Sequence, residues 1–443
     1  MVSFSLPPEE VSLSKTDEQV TSDGTGSVLE PASISDHNEL LSLSRLIATG
    51  WLLTNIALSI ADLPLRYLLK DHLGLSAARV SLFFLLGNFS NYIKPAAGLF
   101  TDAIPLCGTR RRHYLLAGIG LGGIFWLILG FAPHRYSILL GIYTLFYFTV
   151  VLTSTSLGGK MVEIGQKHLA SGRLTAQRIG TFRIASVTGG LVGGWLATKS
   201  FMLTVGISAA IHFILFGLFY SKLAEANDGR SAVRILPEFK RLLLLLCRDR
   251  VTLAAAGMIV LIAASPGFGT PLFFYQTNVM HFSKVFVGKL ASLSAAFGLV
   301  GAWFYYSACR TLPVRMLLFS SVVAHALGTL AFLYYHSPVA ACIITAIAGT
   351  SGTMAILPVY DLAARGTPRG AEAIGYAVMM SVWNLTNAIS DWTGSLIYDH
   401  WHVSFHGLVW LNSGTTALVL IVIPLLPAKL LRARDGETVS EKQ

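Results

Sequence analysis

Twelve stretches of this 443-residue chain are each long and apolar enough to cross a lipid bilayer, and no other feature limits its fold so tightly. About 20 apolar residues, rising about 1.5 Å each, match a hydrocarbon layer roughly 30 Å thick. The stretches cover 45–68, 78–103, 113–132, 136–158, 173–198 and 201–221, then 251–275, 283–308, 314–335, 338–361, 371–398 and 404–427. Inside lipid each backbone N–H and C=O must find a partner within its own segment, so these runs are expected to be helices. The chain therefore reads as an all-α polytopic membrane protein of twelve transmembrane helices. The longest loop, 222–250, divides them into two six-helix halves; it is basic and partly amphipathic, which suits a membrane surface. Charged residues make up only 13% of the chain, against roughly 25% in soluble domains. That balance excludes a large soluble enzyme, a disordered protein and a disulfide scaffold.

The net charge of +10 conceals a division. Residues 1–40 hold eight acids (Glu9, Glu10, Asp17, Glu18, Asp23, Glu30, Asp36, Glu39) and one base, Lys15, which leaves +17 for the rest. The first forty residues lack apolar periodicity and read as a disordered acidic tail; they resemble neither a signal peptide nor an Arg-rich transit peptide. With the N-terminus placed inside, 22 Lys and Arg residues fall on the inner loops and helix ends, and 7 fall outside: Arg66, Lys70, Arg79, Arg135, Lys199, Lys284 and Lys289. Positive loops stay in the cytoplasm, so both termini are expected there. The expected organisation is a tail at 1–40, helical halves at 41–221 and 251–428, a cytoplasmic linker at 222–250 and a cytoplasmic tail at 429–443. The bases are scattered over many short loops, which argues against a nucleic-acid partner. Cys107, Cys247, Cys309 and Cys342 show no metal-binding or redox spacing, and three lie in loops expected in the reducing cytoplasm.

The halves carry echoes of each other. Glu163 and Asp361 each end a span nine residues before a glycine, Gly172 or Gly370, that opens the next; both pairs are 198 residues apart. A weaker echo links LGLSAARVS at 73–81 with MHFSKVFVG at 280–288. Such duplication marks carriers built from repeats. The loop GLFTDAIPLCGTRRR at 98–112, with Gly98, Asp102 and the cluster Arg110, Arg111 and Arg112, resembles the signature loop of the major facilitator superfamily. There Gly98 would permit close helix contact, and Asp102 would cap a helix or pair with an arginine whose release shifts the conformational balance.

A narrower resemblance is carried by DLPLRYLLKDHLGLS at 62–76, by Ile93-Lys94-Pro95 leading into Gly98 and Asp102, and by LGGKMVE at 157–163. PVYDLAAR at 358–365, the Pro368–Glu372 segment and SVWNL at 381–385 continue it along most of 45–400. Together they resemble the folate–biopterin transporter (BT1) family. That resemblance implies a major facilitator fold and carriage of folates or pterins, with protons as the driving partner. The expected setting is the lipid bilayer of a bacterial inner (plasma) membrane. Lys160 departs from the pattern, standing where an apolar residue is expected.

Ionisable residues inside a membrane cost at least about 2.5–3.5 kcal/mol and are functional candidates by default. Arg183, near the middle of span 5, is the first candidate for binding a carboxylated solute, because guanidinium grips carboxylate with two hydrogen bonds; it could instead pair with a membrane acid and join two helices. Lys94 is a second candidate, or a snorkelling lysine. Arg178, five residues from Arg183, is expected on a different face and reads as a gating residue. Asp62 and Asp391 are candidate proton carriers; Asp62 could equally pair with Arg66, and Asp391 could make a structural hydrogen bond. Glu163, Asp361 and Glu372 read as gate or capping residues beside Arg173, Arg365 and Arg369. Asn88 and Asn91 share one helix face, as do Asn384 and Asn387; each pair lines a polar cavity or binds helices together. Asn55 and Gln177 are further amides within helices. Tyr92, Trp126, Phe182 and Trp383 could stack on a flat ring.

Gly189-Gly190-Leu-Val-Gly193-Gly194 contains two overlapping GxxxG pairs suited to close packing. Pro266, Gly267, Gly269 and Pro271 should interrupt span 7 and let it bend. His212 and His325 are lone membrane histidines, each expected as a packing residue. No HExxH, GxSxG, catalytic acid pair or phosphate loop falls in a span, so no enzymatic activity, metal or cofactor is expected. A carrier for a sugar or another organic anion stays open as an alternative; a non-transporting membrane sensor is the weakest reading.

Overall fold

The computed structural model describes residues 34–109, 111–168, 170–225, 235–309, 311–365, 367 and 372–425. The tail at 1–33, the whole of 226–234 with its basic residues, and the residues after Leu425 lie outside this description. Helices dominate, and among the described residues no strand forms beyond one isolated bridge, Leu106–Thr109. Twelve spans follow in order. Span 1 is Ile34–Tyr67, span 3 Arg112–Phe131, span 4 Tyr136–Lys167, span 5 Ser171–Leu196 and span 6 Phe201–Lys222. Span 8 is Lys284–Cys309, span 9 Val314–Leu330, span 10 Pro338–Arg365, span 11 Glu372–His400 and span 12 Phe405–Val422. Span 1 begins at Ile34, inside the stretch expected to be tail. The linker contributes a surface helix, Ile235–Arg248, whose Leu246 is buried.

Eight described helices are continuous, long and apolar enough to span. The other four are informative. Spans 5 and 11 are long but carry too many polar residues, among them Arg178, Arg183, Asn387 and Asp391. Spans 2 and 7 are broken. Span 2 runs as Ala77–Gly87, a single turn Phe89–Tyr92, and Lys94–Ala103 with proline in its first turn. Pro95 has no N–H to give and suits a helix start, not an interior; the uninterrupted span expected over 78–103 is therefore corrected. Span 7 runs as Arg250–Ala263 and Gly269–Phe274, with irregular backbone between. Polar and broken spans can exist in a bilayer where they are buried against protein or line a cavity.

The weaker of the two echoes is the more exact in three dimensions. Span 1 ends in a π-helical turn, Leu68–His72, and span 7 in another, Tyr275–Val279. Leu73 N–H donates to Leu68 O and Leu75 N–H to Leu69 O; Met280 and Phe282 repeat these bonds to Tyr275 and Gln276. Gly74 and His281 then take φ of +62° and +50°, a left-handed bend rare outside glycine. The same corner is thus built twice.

The overlapping glycines of span 5 serve two different partners. A Cβ at Gly189 would strike Ser59, and one at Gly193 would lie 2.9 Å from the Ile60 carbonyl, both on span 1. Gly190 and Gly194 instead abut Ser292 and Gly288 on span 8 of the other half. Ser292 Oγ closes that contact by donating to Val187 O at 2.6 Å.

Apolar packing between the halves is concentrated at the end away from the basic loops. There one buried cluster joins Leu65, Tyr67, Leu69 and Phe83 of the first half to Phe273, Phe274 and Val287 of the second. Ala78 N–H also donates to Asp399 Oδ2 at 2.6 Å, and Lys284 Nζ pairs with Asp71 at 3.3 Å. At the basic end the two clusters stay within their own halves, one around Ile47, Leu115 and Leu157, the other around Ile259, Leu318 and Leu362.

Candidate functional site

The break in span 7 organises one side of the site. Pro266 removes an N–H and Gly267 weakens the helix, so the chain unwinds and its free polar groups need partners. Gly267 N–H donates to Ser390 O at 2.8 Å, Asn412 Nδ2 donates to Pro266 O at 3.0 Å, and Ser390 Oγ donates to Ser265 O. Gly394 lets span 11 approach until the Gly267 carbonyl occupies the place of its Cβ. The helix restarts at Gly269, and Asp391 caps it: Oδ1 accepts Thr270 N–H at 2.9 Å and Oδ2 accepts the Thr270 hydroxyl at 2.5 Å.

Thr270 Oγ1 also faces the first half. Arg66 Nη1 approaches it at 3.5 Å, while Arg66 Nε donates to Asp62 Oδ2 at 2.9 Å and the guanidinium lies over the Phe84 ring at 4.5 Å. Asp62 and Asp391 are thus linked through Arg66 and Thr270, across the two halves. Arg66 was expected only as one possible partner of Asp62, and Thr270 carried no signal in the sequence. Behind the break lies a cavity of about 720 Å³, lined in part by Asp62, Arg66, Trp383, Asn387, Asp391 and His325.

Nearer the basic end, three cations gather. Lys94 opens the last piece of span 2 and is close enough to Arg178 to repel it. Arg178 stacks over Trp51 at 4.5 Å. Arg183 Nη2 donates to Thr353 Oγ1 at 3.4 Å and packs against Gly298, where a Cβ would come within 2.7 Å of Nη1. Arg178 and Arg183 both act electrostatically on Tyr360 of span 10, and Arg178 also on Tyr376 of span 11. Their direct contacts differ, as their spacing predicts: Arg178 lies over Trp51 of span 1, and Arg183 reaches Thr353 of span 10. Among the described residues no carboxylate lies within ion-pair distance of Lys94, Arg178 or Arg183. Tyr360 stands within PVYDLAAR and could have been singled out there; Tyr376 and Trp51 gave no such signal.

The amides divide. Asn88 Oδ1 is buried without a partner beside the break in span 2, and it is the backbone carbonyl of Asn91, not its side-chain amide, that accepts from Ser381 Oγ at 3.4 Å. Asn387 Nδ2 donates to Trp383 O at 3.1 Å, and Asn384 is exposed. Gln177 accepts from Ser44 and ties spans 1 and 5, while Asn55 bonds its own helix. Of the aromatics proposed for stacking, Trp383 lines the cavity and Tyr92 donates to Leu85 O across the break in span 2. Trp126 belongs instead to the closed-end core and Phe182 is exposed.

At the basic end Glu163 pairs with Arg111 at 3.3 Å and Lys160 at 3.1 Å, not with Arg173. Lys160 is thereby accounted for. Glu225 accepts the backbone N–H groups of Arg111 and Arg112 at 3.2 and 2.6 Å, capping span 3, and Arg112 Nε donates to Leu223 O at 2.7 Å. The basic loop so fastens spans 3, 4 and 6. Gly98 does not make the close contact expected of it: nothing lies within 4 Å of its Cβ position. The side chains of Asp102, Arg365 and Glu372, and residues Arg110 and Arg369, fall outside the described set. Asp361 follows Tyr360 directly on span 10.

Residues 55–443 match the BT1 family. The chain belongs to that family. It is 29% identical over 405 residues to a protein named folate-biopterin transporter from Synechocystis sp., covering 85% of this chain and 80% of that protein. It is 23% identical to folate transporter 2 of Plasmodium falciparum, covering 83% of this chain and 84% of that protein. Among solved structures, a D-xylose-proton symporter superposes with a TM-score of 0.70 at 14% identity, over 90% of this chain and 99% of that one. The nucleoside transporter NupG gives 0.64 at 13% identity, over 87% and 98%. The fold of this BT1 family member is thus the major facilitator fold, and the chain is a multi-pass membrane transporter. Its family and relatives are transporters, not enzymes.

Proposed function

We propose that this chain is a secondary active carrier that moves folate, a pterin or a related organic anion by alternating access, coupled to protons. One observation carries the reading: Lys94 lies near Arg178, Arg178 and Arg183 both lie near Tyr360, and none of the three cations has a carboxylate partner among the described residues. Unpaired cations in a membrane interior are costly, and a solute arriving with its own carboxylates supplies the missing counter-charge. Arg178, expected as a gate, joins Arg183 and Lys94 in this anion site; Asn88, Asn91 and Asn384 stay candidate solute-binding amides, and Asn387 lines the neighbouring cavity. The names of the relatives, folate and folate-biopterin transporters, agree with a carboxylated heterocyclic cargo.

Asp62 and Asp391 are the proton carriers in this reading. Protonating either carboxylate would weaken the Asp62–Arg66–Thr270–Asp391 link between the halves. The lysine and arginine balance favours a cytoplasmic basic end; in this reading both termini lie on the cytoplasmic side of a bacterial plasma membrane. The shared apolar cluster then closes the outer end, and the arrangement is that of an inward-facing state. Gly98, Asp102, Arg110, Arg111, Arg112, Glu163, Asp361 and Arg365 take the gating role at the inner ends.

Uptake of radiolabelled folate into proteoliposomes under an imposed proton gradient tests the reading. Uptake that persists when the gradient is collapsed refutes proton coupling; absence of both folate and pterin uptake refutes the cargo. Arg183→Ala is expected to lower folate affinity at least about tenfold while leaving the carrier folded. A misassembled Arg183→Ala protein would instead assign Arg183 to helix packing.

A further inference from the structure

The two lone membrane histidines part company in the fold. His212 is a packing residue: its Nδ1 lies 2.8 Å from Ser208 O, and a Cβ at Gly122 would sit 2.8 Å from its ring. His325 on span 9 lines the 720 Å³ cavity behind the span 7 break, and its Nδ1 is buried with no hydrogen-bond partner. Buried polar atoms are rarely left unpaired; the imidazole is half-buried, and a half-turn about its two-fold χ2 exchanges the enclosed Nδ1 with the other ring edge, so this ring on a cavity wall points to an occupant.

The chemistry of that wall defines the occupant. Most of its polar groups are already engaged in holding the unwound backbone: Asn412 with Pro266 and Thr329, Ser390 and Thr416 with Ser265, Asp391 with Thr270. Gln276 Nε2 donates to Tyr335 Oη at 2.7 Å. Hydrogen-bonding capacity remains on His325 and on the Asn387 amide oxygen. Phe268, Phe332 and Trp383 add flat apolar walls. The cation present, Arg66, is paired with Asp62, so the cavity has no spare positive charge for a carboxylate. Its volume falls in the range of about 300–1,000 Å³ typical of small-ligand sites. It also adjoins the anion site. Gly352 on its wall precedes Thr353, the acceptor for Arg183, and Ser294 on its wall lies one turn before Gly298, against which Arg183 packs.

We propose that this cavity is a second subsite, receiving the uncharged, hydrogen-bonding heteroaromatic ring of the solute with His325 as its anchor, while the carboxylate end stays on Lys94, Arg178 and Arg183. This rests on the anion-site reading above. The two ends of the solute are thereby recognised by separate chemistry, ring by the second half and carboxylates largely by the first.

Equilibrium binding to the purified full-length carrier, with two probes, tests it. One probe is 6-hydroxymethylpterin, a ring without carboxylate; the other is p-aminobenzoylglutamate, two carboxylates without the pterin. His325→Leu keeps the bulk and removes the nitrogens. It should weaken pterin binding at least about tenfold and leave p-aminobenzoylglutamate within about twofold. His325→Gln, which restores a donor and an acceptor, should recover most of the loss, and Arg183→Gln should show the opposite selectivity. Unchanged pterin affinity in His325→Leu, or equal loss for both probes, overturns the proposal in favour of a water-filled or packing role. Failure of both His325 variants to fold does the same. A wild-type carrier that binds p-aminobenzoylglutamate but not the pterin overturns this proposal alone; one that binds neither overturns the anion site with it.

Discussion

Gly194 and Gly193 are neighbours in sequence yet face different helices, which allows inter-half packing to be perturbed apart from packing within a half. A Cβ on Gly194 would lie 2.8 Å from Gly288 Cα, 3.0 Å from Lys284 O and 3.3 Å from Gly288 N. All three are backbone atoms of span 8, so no side chain can swing away. Ordinary contact needs roughly 3.5–4.0 Å, and spans 5 and 8 must separate by up to about 1 Å. Overpacking of this kind costs about 1–3 kcal/mol. In the state described here, closed at the end away from the basic loops, that penalty falls on the contact between halves. A state parted there would escape it. Gly194→Ala should therefore shift the balance toward the opposite state by about 5- to 150-fold. Gly193→Ala serves as the control: its Cβ would meet the Ile60 carbonyl at 2.9 Å, inside the first half. It should lower thermal stability without changing the balance. Spin labels at Arg135→Cys and His336→Cys, one in each half, would read the distance by double electron–electron resonance. The four native cysteines, none of them in a disulfide, must be replaced first. An unchanged distance distribution in Gly194→Ala, or the same shift in Gly193→Ala, would refute the reasoning.

Three other outcomes are expected. Asp391→Ala removes the cap on Thr270 and should destabilise the carrier by about 0.5–2 kcal/mol, seen as a lower melting temperature; Asp391→Asn keeps one acceptor and should lose less. Lys94→Met relieves repulsion with Arg178 and should raise the melting temperature while weakening folate binding, a trade expected where a site is held for function; a drop in both would place Lys94 in packing instead. Gly394→Ala forces a methyl group into the Gly267 carbonyl and should abolish assembly, checked by monodispersity in detergent; a well-folded Gly394→Ala carrier would contradict the close approach of spans 7 and 11.

Much of the frame was legible because it depends on local properties. The break in span 7 was readable from Pro266, Gly267, Gly269 and Pro271, whose effect on a helix needs no neighbour. The break in span 2 carried a similar sign in Lys94-Pro95, but the apolar run around it masked the sign. The interior charges were identifiable one by one, because a charged residue in an apolar run stands out whatever surrounds it. Their partners were not. Glu163 reads from its position as a gate or capping residue with no assigned partner, and the fold pairs it with Arg111, 52 residues away. From its own span Asp391 reads equally as proton carrier or structural acceptor; the fold sets it against Thr270, 121 residues distant.

By itself the sequence determined the number and order of the spans, the division into halves and the residues too polar to be there without cause. Hydrophobic length and backbone chemistry decide those, and both are properties of a single segment. Only the tertiary structure decided what each face meets. It gave Gly189 and Gly193 to span 1 and Gly190 and Gly194 to span 8, set Arg178 over Trp51 and Arg183 against Thr353, and left His325 Nδ1 unpaired where His212 is satisfied. A helical period tells which residues share a face, but not how far that helix is rotated or at what depth it docks. Those two quantities come from packing among all twelve spans, and they separate a packing residue from a binding residue.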